Sequence, residues 1–199
     1  MKNSSIRVIS MAAIMGAVAF VLQYFSFSIP VLSPFASFDF SALPEIVGGF
    51  ILGPLGAILI IVVKLGLILV FKGTSSMFTG EVQNFILSCA YVLPAILYYR
   101  KNRTKKGAII GLTLGSLLSV FIAIFTNLYL IFPAYIYLYG MSWESILGIC
   151  NAVNPLISTK LTFVAFSVIP FNLISRAVSS VITFFLYKRI SNPIKKFIQ

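Results

Sequence analysis

Apolar residues run along this chain in long, nearly unbroken blocks, and polar residues collect between them. The first block covers about Ile6 to Phe27. A stretch rich in Pro, Ser and Phe follows, from Ser28 to Leu43. The next block, Pro44 to Phe71, is 28 residues, about 42 Å as one helix. That exceeds a hydrocarbon core of about 30 Å. Gly53-Pro54 and Gly56 interrupt the block, and proline breaks a helix interior. The pattern therefore predicts a hairpin, with a short helix over 44–52 and a longer one over 55–71. The short helix cannot span fully, so its outer end lies below the surface and leaves a depression that residues 28–43 can roof.

Residues 72–79, KGTSSMFT, form a second polar break. Helices are predicted over 80–99 and 108–130, separated by the basic turn RKNRTKKG at 100–107. A long outer segment, 131–169, carries Tyr, Gly, Trp and Asn-Pro. Its end, TKLTFVAFSVI, suits a helix lying against the bundle. A last span is predicted over 170–189, because Pro170 fits a first helical turn. Lys2 and Arg7 precede the first block, and no small-residue cleavage pattern follows it, so it reads as a retained helix rather than a signal peptide. No repeat is visible.

Composition agrees with the blocks. The chain has 199 residues, 59% hydrophobic and 10% charged, with mean hydropathy +1.04. A soluble domain of this size could not hide so much apolar surface. Lipid offers the backbone no hydrogen bonds, so spans are helices or a closed barrel, and blocks this long are helical rather than barrel strands. The expected fold is an all-α integral membrane protein, one compact bundle of six transmembrane helices.

The net charge of +11 would suggest nucleic acid in a soluble protein. Six spans place Lys2, Arg7, the five basic residues of 100–106, Lys188, Arg189, Lys195 and Lys196 on one side. By the positive-inside rule that side is the cytoplasm, with both termini there. The four acids, Asp39, Glu45, Glu81 and Glu144, fall toward the other side. The charge then calls for no nucleic-acid partner, and the cluster near residue 100 suits anionic lipid.

Candidate chemistry gathers at one depth. Glu81 and Asn84 share a face at the start of one helix. Asn127 lies near the end of another, Asn172 and Arg176 are one turn apart on the last, and Asp39 is in the roofing stretch. Polar groups within a membrane are costly and usually face an interior or a cavity. They could instead join helices, with Glu81 pairing Arg176 or Lys72 and the asparagines bonding across helices. Their shared depth favours an outward-side pocket. Phe35, Phe38, Phe40, Phe78, Tyr129, Tyr135, Tyr137 and Tyr139 lie at the same level, as an interfacial belt or as walls for a flat ligand. Lys64, in mid-helix, either snorkels or is paired inside. In the first helix Ala13 and Ala17, with Ala12 and Gly16 beside them, would let another helix approach closely.

Several functions are excluded. The chain has no histidine, so neither a Ser/His protease nor a Cys/His metal site can be built. Asp39 is the only aspartate, so there is no aspartyl dyad. Cys89 and Cys150 read as buried packing residues. No enzyme and no cofactor are expected. A stand-alone secondary carrier would show an inverted repeat and broken helices in both halves, and only one such interruption is present.

The stretches DFSALPEIVGGFILGPLGA, KGTSSMFTGEVQNF, NLYLIFPAY and PFNLISR, in that order, resemble the riboflavin-binding S-components of energy-coupling factor (ECF) vitamin transporters. The resemblance covers nearly the whole chain. It implies a multi-pass protein of the cell membrane whose substrate pocket lies on the outer side, under the segment after helix 1. It implies riboflavin as transported substrate, with Asp39, Phe40, Leu43, Glu81, Asn84, Asn127, Tyr135, Asn172 and Arg176 as its contacts. It also implies a docking face at Ala13 and Ala17 for a transmembrane coupling subunit, which works with two cytoplasmic ATPase subunits that drive toppling of the whole S-component. The family commonly carries a lysine three residues after the Asn of Pro-Phe-Asn; this chain has Ser175 there, and Arg176 follows. An S-component for another vitamin or precursor is the nearest alternative.

Overall fold

The computed structural model describes the backbone of residues 2–198 and the side chains of residues 6–186. Helix α1 (Lys2–Tyr24) leads into a small antiparallel hairpin, β1 (Phe27–Ile29) and β2 (Ser33–Phe38). Then come α2 (Ala42–Leu52), α3 (Pro54–Phe71), α4 (Thr79–Lys101) and α5 (Lys105–Thr126). A π-helical turn, Asn127–Ile131, joins α5 directly to α6 (Phe132–Tyr139). After α7 (Trp143–Val153) and the short α8 (Lys160–Phe163), a second π-helical turn, Val164–Val168, leads into α9 (Ile169–Ile198).

Five helical stretches are long and apolar enough to cross a membrane: 6–24, 54–71, 79–101, 105–139 and 160–186. The 11-residue α2, about 16 Å long, is the short apolar helix among them. Gly53 makes the reversal between α2 and α3 in the positive-φ region (φ 90°), and Pro54 opens α3. Glycine tolerates that conformation and proline suits the first turn, so the Gly-Pro pair works as the sequence suggests.

Two stretches run further than their patterning indicates. The helix expected to end at residue 130 continues to Tyr139, and the last span begins at Lys160 rather than 170. In each case the π turn ends two residues before a proline, Pro133 or Pro170. The amide just ahead of the proline bonds five residues back, Phe132 to Asn127 and Ile169 to Val164. This wider turn carries the helix past a residue that has no N–H to give.

Small residues set the closest packing. Ala12, Gly16 and Ala19 are buried against α3, and a Cβ on Gly16 would stand 2.6 Å from Val63 Cγ1. Gly111 and Gly115 of α5 lie against the backbone of α4 at Ala95 and Tyr91. One core cluster joins α2, α4 and α5 through Ile46, Phe50, Tyr91, Val92, Ile96 and Leu112. A second, including Phe132, Ile146, Ile157 and Phe163, lies near the other end of α4, where Leu87 belongs to it.

Candidate functional site

A cavity of about 500 Å³ opens where α3 ends and α4 begins. That end of the bundle is opposite the turn between α4 and α5, since α4 runs from Thr79 at the cavity to Lys101 at the turn. The volume falls within the range of about 300–1,000 Å³ usual for small-molecule sites.

The β1–β2 hairpin forms one wall. Ser33, Phe35, Ala36 and Ser37 line the cavity, and Phe35 packs edge-on against Phe132, ring centroids 5.4 Å apart. Tyr135 lies 6.1 Å from Phe35 and also lines the cavity. Residues that read as a loop thus fold into a hairpin pinned by aromatic edges, a geometry that ring quadrupoles favour. Asp39 follows, its Oδ1 accepting from the Ser41 backbone N–H at 2.7 Å. Phe40 and Leu43 do not belong to the lining; Phe40 packs on Phe38 at 5.4 Å.

Asp39, Glu81, Asn84, Asn127, Tyr135, Asn172 and Arg176 all reach the one cavity. Gln23 and Gln83 join them. Both lie in apolar helices, so the intramembrane-polar signal that selected the asparagines applies to them equally. Gln83 and Gln23 each hold a buried side-chain oxygen with no hydrogen-bond partner.

The polar groups do not cross-link one another as helix joints would. Asn127 Nδ2 donates to Ala123 O at 2.7 Å, and Asn172 Nδ2 to Val168 O at 2.9 Å, each within its own helix. A carbonyl can only accept, so these amides are oriented by chemistry. Their Oδ1 atoms have no protein donor among the described residues. Asn84 is the reverse: its Oδ1 accepts from Lys64 Nζ at 2.6 Å, and its Nδ2 is without a protein acceptor.

The expected pairing of Glu81 with Arg176 does not occur. Glu81 Oε2 accepts from the hydroxyls of Thr74 and Ser76, both at 3.1 Å, because residues 72–78 fold back over the start of α4. Arg176 lies deeper. Its Nε donates to Ser119 Oγ at 3.2 Å and its guanidinium lies 5.0 Å from the centre of the Tyr91 ring. Tyr91 is ten residues beyond Glu81, about 15 Å along α4, so the two charges stand at different depths. Among the described residues no carboxylate pairs with Arg176, and its terminal N–H groups are left for the cavity it lines.

Lys64, whose environment the sequence leaves open, is fully buried and paired inside with Glu45, Nζ to Oε1 2.5 Å. On α1, Ala13 and Ala17 are exposed while Ala12 and Gly16 are buried. The helix thus carries two small-residue stripes, one packed inward and one facing out.

Comparison with known proteins agrees with this architecture. The sequence profile of the family described as "ECF transporter, substrate-specific component" matches residues 7–187. The chain is 31% identical over 195 residues to the riboflavin transporter RibU of Staphylococcus aureus (strain TCH60), covering 98% of this chain and 94% of the relative. It is 29% identical over 185 residues to the riboflavin transporter FmnP of Bacillus subtilis (strain 168), covering 92% and 89%. A solved structure described as "Structure and mechanism of the S component of a bacterial ECF transporter" superposes with a TM-score of 0.72 at 29% identity, over 98% of this chain and 99% of that one. With a bundle of apolar helices around one polar-lined cavity and a family match that spans nearly its whole length, this chain belongs to the substrate-specific components of ECF transporters.

Proposed function

We propose that this chain is the riboflavin-binding subunit of an ATP-driven ECF importer, that it binds the vitamin in the 500 Å³ cavity, and that it delivers it by docking to a coupling subunit and two ATPases. The observation that carries the substrate is the polarity pattern of the cavity. Arg176 and Asn84 offer N–H donors, while Asn127 and Asn172 offer oxygen acceptors. The pyrimidine edge of an isoalloxazine presents carbonyl acceptors flanking an N–H donor, which calls for that mixture. Its flat remainder suits aromatic walls such as Phe35, Phe132 and Tyr135. The ribityl hydroxyls find partners in Asp39, Glu81 and the serines of 72–76. Relatives that transport riboflavin, at 29% to 31% identity, support the same ligand.

The bundle has six membrane helices, counting the short α2. Both termini and the basic 100–106 turn are cytoplasmic by the positive-inside rule, and the cavity opens outward. Ala13 and Ala17 form the docking face, since small exposed side chains permit close helix approach. The chain contributes no catalysis. In membranes that hold the complete coupling module, riboflavin uptake should require ATP and this subunit together. Uptake by this subunit alone would make it an independent carrier. Protein that purifies with a different bound vitamin would move it to another substrate group of the same family.

A further inference from the structure

One buried group beneath the cavity has no part in the reading above. Lys64 projects from the middle of α3 and is 0% exposed. An ammonium carries three donors and no acceptor. Here they meet Glu45 Oε1 at 2.5 Å, Asn84 Oδ1 at 2.6 Å and Ser41 Oγ at 3.4 Å. These acceptors come from α2, from α4 and from the residue that precedes α2. Asn84 and Ser41 both line the cavity, whereas Lys64 and Glu45 do not.

The consequence lies in the amide. An asparagine free to turn about its side-chain bond can present either its oxygen or its nitrogen to a ligand. A donor-only cation on Oδ1 removes that freedom, because Nδ2 cannot face an ammonium. Ser88 Oγ stands 3.5 Å from the same oxygen and adds a second donor there. Asn84 Nδ2 is left without a protein acceptor on a residue that lines the cavity. Glu45 compensates the buried charge, which alone would be too costly to keep ionised at this depth. It sits at the start of α2, where the helix dipole favours an acid.

We propose that the Lys64–Glu45 pair is a positioning device that fixes Asn84 as an N–H donor into the cavity, so that this wall selects a ligand atom that accepts, a carbonyl oxygen or ring nitrogen. Asn84 touches the ligand; Lys64 acts through it. This rests on the cavity being the riboflavin site.

The test is a pair of double-mutant cycles with riboflavin, read by quenching of flavin fluorescence. Lys64→Met alone would strand a buried carboxylate, so Lys64→Met and Glu45→Met are made together; replacing a buried ion pair by apolar groups of similar volume is commonly tolerated. Asn84→Ala should weaken binding about tenfold or more in the wild-type background, the weight of one buried hydrogen bond. In the Met/Met background it should cost less than about threefold, because the amide is no longer held. Asn172→Ala, at a residue Lys64 does not touch, should cost the same in both backgrounds. Equal costs for Asn84→Ala in both would overturn the proposal, as would equal non-additivity for Asn172, which marks general loosening. A second measurement needs neither riboflavin nor a folded double variant. In the unliganded wild-type protein, 15N relaxation of the Asn84 side-chain NH2, identified by its loss in Asn84→Asp, should match the rigid backbone of α4. A mobile NH2 contradicts the proposal whatever the ligand proves to be, whereas absence of riboflavin binding by wild-type protein contradicts only the substrate.

Discussion

At the scale of single residues, the cavity depends on how each polar group is tied. Asn172 spends one N–H on Val168 O and keeps its oxygen for the ligand. Asn172→Ala should weaken riboflavin binding by about 1–3 kcal/mol, since a ligand donor would be buried without a partner; unchanged affinity in a folded variant would remove Asn172 from the site. Arg176→Gln should lower affinity with little coupling to Glu81→Gln, because the two side chains stand at different depths and have separate partners. Strong coupling in stability but not in affinity would make Arg176 a structural ion. Cys150 gives a third check. It is buried, and burial pushes its thiol up to about 11. The thiol stays protonated below that pH, and the thiolate is the reactive form. A maleimide should therefore leave Cys150 unlabelled at neutral pH in folded protein and label it after denaturation. Depth alone made most of this site legible in the sequence: acids and asparagines inside apolar blocks are too costly to be scattered at random. Gln23 and Gln83 carry the same signal and belong with them. The partner of each group was not legible, because Lys64, Glu45 and Asn84 come from three helices whose rotation no periodicity fixes.

Among the elements, glycine and proline were the readable signs. Gly53-Pro54 divides one apolar block into the short α2 and the longer α3, and a depression follows from that shortness. The hairpin over 27–38 was not readable: it lacks the Asn-Gly or Asp-Gly turn that announces two-residue hairpins, and its pinning by Phe35 is tertiary. Nor were the π turns, since Pro133 and Pro170 look like helix boundaries until the wider hydrogen bonds carry the helix past them. The two stripes of α1 yield a contrast. Gly16→Leu should destabilise the bundle, because the new side chain would be driven into Val63, and overpacking costs about 1–3 kcal/mol. Ala17→Trp, on the exposed stripe, should leave the melting temperature and riboflavin affinity near wild type and abolish uptake with the complete module. Full uptake by that variant would remove the docking assignment.

In the whole molecule, charge and hydropathy together gave the architecture, whereas the ligand needed the site. Long apolar blocks dictate helices, and the basic 100–106 turn marks one end of the bundle. The cavity occupies the other end, beneath a hairpin and above a buried ion pair. That arrangement keeps recognition apart from the exposed face of α1, so binding and docking can be lost separately. The central claim is that this cavity takes riboflavin. It is tested most directly by titrating riboflavin with purified, unliganded protein and following flavin fluorescence. The account predicts saturable quenching at one vitamin per chain, reduced in Asn172→Ala and Arg176→Gln; fluorescence that stays unquenched as folded wild-type protein is added in excess would contradict it.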